Sequence, residues 1–73
     1  MDSDREKRTE FFPTERTSVL LERLDGEIEC LIKHDYGYGL GTDRYVAKSR
    51  FIIHSDSMSY AKRRALEVFK RDF

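Results

Sequence analysis

Cys30, His34 and His54, with a scatter of carboxylates, are the side chains of this sequence that could ligate a metal or attack a substrate. Side chains on an extended chain alternate between faces, so Cys30 and His34 share one face. The strand pairing set out below puts His54 on the other. A zinc centre needs three or four ligands converging at tetrahedral distances, and this spacing does not bring them together. Cys30 stands between Glu29 and Leu31 with Ile28 and Ile32 two residues away; a thiol in mid-strand beside such neighbours is inert packing. Gly37, Gly39 and Gly41 lie between strands and do not open a helix, so the loop geometry that cradles phosphate is missing. Catalysis, a metal and a cofactor are therefore not expected. His34 reads as a partly buried packing residue, because a lone histidine becomes a switch only when its surroundings shift it.

What remains is a surface for binding. Net charge is zero, yet residues 1–43 carry six Lys/Arg against eleven Asp/Glu, while residues 44–73 carry eight against three. Lys62, Arg63 and Arg64 cluster early in the last segment, and Lys70 and Arg71 close it. With Lys48 and Arg50 they form a candidate phosphate-contacting surface; the plainer reading is a solvated helix face. Tyr36, Tyr38 and Leu40 alternate with glycines and form a candidate aromatic finger for stacking or docking. The alternative is packing at the core margin. Glu22, Glu27 and Glu29 make an acidic counterpart suited to a basic partner surface.

The elements that must position these residues follow from turns and alternation. Asp25-Gly26 is a preferred hairpin turn because its geometry needs positive φ. Folding there pairs Leu24 with Glu27, Leu21 with Cys30 and Val19 with Ile32, and puts Val19, Leu21, Ile28, Cys30 and Ile32 on one face. Glu22 then faces Glu29, a like-charge pair. A second turn at Gly41-Thr42-Asp43-Arg44 pairs Leu40 with Tyr45, Tyr38 with Ala47, Tyr36 with Ser49, His34 with Phe51, Ile32 with Ile53, Gly37 with Lys48 and Asp35 with Arg50. Ser55-Asp56-Ser57 leads to a helix N-cap. Beyond it Met58, Ala61, Ala65, Val68 and Phe69 fall on one helical stripe. The expected fold is α+β: a three-stranded antiparallel meander packed on one C-terminal helix, over residues 17–73. A rival reading makes residues 14–24 a helix, with Thr14 as its N-cap and Gly26 as its stop.

Residues 1–16 read as a flexible charged arm. Ser3 and Glu6 have capping-box spacing, and Phe11 and Phe12 are expected to dock on the domain. A chain of 73 residues makes one domain, burying about 60% of the surface its unfolded form exposes. One cysteine excludes an internal disulfide. The absence of a signal-like or membrane-spanning apolar run leads to the expectation of a cytoplasmic protein with no membrane partner.

Three strands followed by a helix containing Ser59-Tyr60-Ala61-Lys62-Arg63-Arg64-Ala65 are similar to the second half of a double-stranded-RNA-binding domain. They are also similar to the three-strands-plus-helix DNA-binding domains of integrase arms and some plant transcription factors. The resemblance spans about 45 residues at the level of shape. It departs at Leu66, where a further basic residue is expected, and at Ser55-Asp56-Ser57, which replaces a glycine-rich approach. It implies phosphate contact by the helix. Two functions are expected from the sequence. One is a non-enzymatic regulatory protein binding nucleic acid or a nucleoprotein. The other is a stoichiometric protein-binding inhibitor or adaptor of the phage anti-defence, anti-CRISPR-like kind. A homodimer through a free strand edge would be compatible with either.

Overall fold

The computed structural model describes residues 7–38 and 43–73. It is α+β, with strands β1 (Arg8–Thr14), β2 (Thr17–Leu24), β3 (Glu27–Tyr38) and β4 (Arg44–Ile53), then helix α1 (Met58–Asp72). The four strands form one antiparallel sheet in chain order, β1-β2-β3-β4. Residues 17–24 are strand, so the helical alternative for that segment is excluded. The Asp25-Gly26 turn sets the β2–β3 register; Gly26 is at φ 73°, but Asp25 does not take positive φ, so the turn is not of the type I′ form that the Asp-Gly pair suggests. Leu24 pairs with Glu27, Leu21 with Cys30 and Val19 with Ile32, as the turn chemistry dictates.

The β3–β4 register differs from expectation by four residues. Ile28 pairs with Ile53, Cys30 with Phe51, Ile32 with Ser49 and His34 with Ala47. The expected partners were Ile53 for Ile32 and Phe51 for His34. A shift of four keeps every residue on its face, so inward packing alone does not distinguish the two registers. Length does. The observed pairing lets β4 reach back to Ile28 and satisfies backbone groups along nearly all of β3. Asp35 accordingly lies opposite Val46, not Arg50, and Gly37 opposite Tyr45, not Lys48. The register shifts once more between Asp35 and Gly37, leaving Tyr36 as a bulge. Leu40, Gly39 and the start of the expected Gly41–Arg44 turn lie outside the described residues.

The N-terminal segment also differs from the expected arm. Residues 8–14 form a fourth strand on the outer side of β2, with Arg8 opposite Glu22 and Phe11 opposite Val19. The Arg23 amide donates to the Lys7 carbonyl and carries the ladder one step further. Charge obscured this strand, although its burial alternates along its whole length. Phe11 packs against the core as expected. Phe12 does not; it faces solvent on the opposite side of the sheet.

Helix α1 begins at Ser57, whose side chain accepts from the Tyr60 amide. Met58, Ala61, Ala65 and Val68 are buried with Val19, Leu21, Ile28, Cys30, Ile32 and Ile53. Phe11, Phe51, Phe69 and Phe73 close the margins of this core. The helix lies over β2 and β3, so it covers one face of the sheet and leaves the other open.

Candidate functional site

Alternation along each strand decides what the open face presents. Since Val19, Leu21, Cys30 and Ile32 point to the helix, their neighbours in sequence point away. Across the open face one row reads Arg8, Glu22, Glu29 and Ile52, and the next reads Glu10, Leu20, Leu31 and Arg50. A third contains Ser18, Lys33 and Lys48. The face is bipolar. Glu22 and Glu29 oppose each other near the Asp25-Gly26 turn, with Arg8 beside Glu22. Glu27, at the same end, lies 3.5 Å from His54. Lys33 and Lys48 oppose each other further along, and the paired row that holds them contains no carboxylate.

Two adjoining hollows mark the cationic end. The first is lined by Phe12, Ser18, Lys33 and Val46 together with Arg16, Asp35 and Arg44. The second shares Arg16, Asp35 and Arg44 and continues to Tyr36, Gly37 and Tyr38. Asp35 organises their junction. Its Oδ2 accepts from Arg44 Nε at 2.9 Å, Arg44 Nη2 also donates to it, and its Oδ1 accepts from the Gly37 amide at 2.8 Å. The Asp35 amide in turn donates to the Arg16 carbonyl at 2.8 Å. Gly37 has φ 81°, and a Cβ there would stand 3.0 Å from the Arg16 guanidinium. The positive φ favours glycine here, whereas the arginine tip can give way to a Cβ.

The Arg44 hydrogen bond, then the Gly37 amide, hold the Asp35 carboxyl down at about 2, below its ordinary 3.8. A depressed carboxyl adds stability above its unfolded value and loses it as pH falls through the folded one. The Gly37 amide resonance should therefore titrate with a midpoint near 2, and Asp35→Asn should abolish that titration. A midpoint near 3.8 would show that the Arg44 tie does not form in solution.

The bulge separates residues that the sequence pattern put together. Tyr36 stays on the helix side, its ring edge-on to His34 with centroids 4.4 Å apart. His34 also meets Phe69 and Phe73 at 6.0 and 6.2 Å, and its Nδ1 lies 2.6 Å from the Thr17 hydroxyl. Tyr38 pairs with Arg44 on the open side. A single finger of Tyr36, Tyr38 and Leu40 is therefore not what the strand presents, and Leu40 lies outside the described residues.

The expected basic surface divides in the same way. Lys48 and Arg50 project from the face away from the helix, so they do not join Lys62, Arg63, Arg64, Lys70 and Arg71. On the helix, Arg64 meets Glu67 at 3.3 Å and Arg71 meets Asp72 at 3.1 Å. Arg63 lies over the Tyr60 ring, 5.9 Å from its centroid. Five cations and two acids leave α1 with a net charge of +3 (5 − 2). Lys33, Arg16, Arg44 and Phe12 were missed by sequence reasoning. The signal for Lys33 was present in the odd positions 27 to 35 of β3, which line one face.

Burial pushes the Cys30 thiol up to about 12, so it stays protonated in the core. Among the described residues no three His, Cys, Asp or Glu side chains are grouped to hold a metal. Among those residues, too, no helix is long and apolar enough to cross a membrane. Comparison of the chain with family models, curated proteins and solved structures finds no match.

Proposed function

We propose that this chain is a non-enzymatic nucleic-acid-binding protein that contacts phosphates with the cationic end of its open sheet face. The observation that carries this reading is the direct opposition of Lys33 and Lys48, with Arg50 two residues along β4. Like charges directly opposite each other in a sheet destabilise it. A phosphate between the two ammonium groups offsets that cost, and the trough beside them adds Arg16. The helix cations are subsidiary, since two of the five are already engaged by acids of the same helix.

The test is binding of labelled DNA and RNA across a salt series. Replacing Lys33, Lys48 and Arg50 together with alanine should flatten the log–log salt slope by about 0.9 per lost phosphate contact. Replacing Lys62, Arg63 and Lys70 should change it little. Absence of binding at low salt would end the proposal.

A second reading is supported by the acidic end. Glu22 opposite Glu29, with Glu27 and the exposed Leu24 nearby, suits docking on a basic protein surface. Alanine at Glu22, Glu27 and Glu29 would then abolish recovery of a nuclease-resistant protein partner, whereas the lysine variants would not.

A further inference from the structure

We infer that the open face takes its nucleic acid as a single strand, stacking bases on Phe12 and Tyr38 and holding phosphates with Arg16 and Lys33. This rests on the nucleic-acid reading above and adds the form of the ligand.

Continuity comes first. The two hollows share Arg16, Asp35 and Arg44, so together they make one trough with Phe12 at one end and Tyr38 at the other. Phe12 is 64% exposed and Tyr38 69%, and neither stacks on another ring among the described residues. Leaving such surface in water forgoes its burial. Tyr36, by contrast, spends its ring on His34. Both tyrosines border the second hollow, and Tyr38, opposite Arg44, lies on the side of Lys33 and Phe12.

Width then bears on how a duplex could meet this face. Four strands spaced about 4.8 Å apart span roughly 14 Å between the outer pair, before side chains are added. A major groove about 12 Å wide admits a helix or a two-stranded ribbon. The four-stranded face is wider than that groove, so it does not enter it whole. Unpaired bases can lie flat on exposed rings, whose faces accept any base. Arg16 and Lys33 line the trough together with the two rings. Of the trough's two carboxylates, Asp35 is held by Arg44 and the Gly37 amide, and Glu15 is exposed at the β1–β2 turn.

Fluorescence anisotropy of the full chain with labelled single strands of about a dozen nucleotides, DNA and RNA, tests the inference against a duplex of equal length. Either single strand should bind more tightly than the duplex. Phe12→Ala and Tyr38→Ala should each weaken single-strand binding by roughly 5- to 100-fold while leaving the salt slope unchanged. Both side chains are solvent-facing, and unchanged melting curves will establish that the variants fold. Equal or tighter binding of the duplex, or aromatic variants that bind normally, would overturn the inference and leave the nucleic-acid reading standing. Failure of every nucleic acid to bind would remove that reading itself.

Discussion

Replacing Ile28 with alanine is expected to lower the thermal midpoint by about 10 to 30 °C. Ile28 is fully buried, opposite Arg23 on β2 and Ile53 on β4. Truncating a buried isoleucine costs about 2–5 kcal/mol, the transfer term plus the cavity left behind. A domain of this length has a total stability of roughly 4–11 kcal/mol, and each kcal/mol moves the midpoint by about 4–8 °C. Ile52→Ala is the matched control. Ile52 lies one residue from Ile53 but on the open face, and is 37% exposed. Its truncation should cost less than about 1 kcal/mol. Circular-dichroism melts of the two variants separate the faces. Equal losses would mean that the helix does not cover the side on which Ile28 lies.

That contrast also explains what could be read before the structure. The inward face of β2 and β3 was legible because Asp25-Gly26 marks a two-residue turn between two alternating segments, and folding there fixes the register. The helix was legible because Ser57 caps it and Met58, Ala61, Ala65 and Val68 recur at helical spacing. Strand β1 was not. Arg8, Thr9 and Glu10 have no apolar alternation, and their pairing with β2 is supplied by backbone hydrogen bonds that composition does not encode.

The β3–β4 register was the subtler failure. An even shift conserves every inward residue, so hydrophobic pattern carried no information about it. The opposite charges of Asp35 and Arg50 then favoured the wrong alternative. The structure meets Asp35 with Arg44 instead, through a bulge that depends on the left-handed conformation of Gly37. That same error hid the candidate site. In the expected register Lys33 would have faced Ile52; in the observed one it faces Lys48. The helix cations were visible because they are contiguous in sequence. The trough was invisible because Phe12, Arg16, Lys33 and Arg44 come from three strands and a turn.

Lys48→Glu should stabilise the protein and impair its binding at the same time. The substitution converts the like-charge pair with Lys33 into an opposite-charge pair. Cross-strand pairs of this kind are worth about 0.2–1 kcal/mol, so a rise of a few degrees in the thermal midpoint is expected. On the proposed reading, one phosphate contact would disappear and a carboxylate would take its place. Affinity for nucleic acid at low salt should therefore fall by roughly tenfold or more, with a salt slope shallower by about 0.9. The competing explanation is that Lys48 guards a free strand edge against pairing with other chains, a common use of lysine. It predicts the same gain in stability with binding unchanged, so the affinity measurement separates the two. Lys33 lies on β3, between β2 and β4 in the sheet, so an edge-guarding role is open only to Lys48 on the edge strand β4. On the proposed reading, an anion bound between Lys33 and Lys48 would offset the cost of setting one cation opposite another.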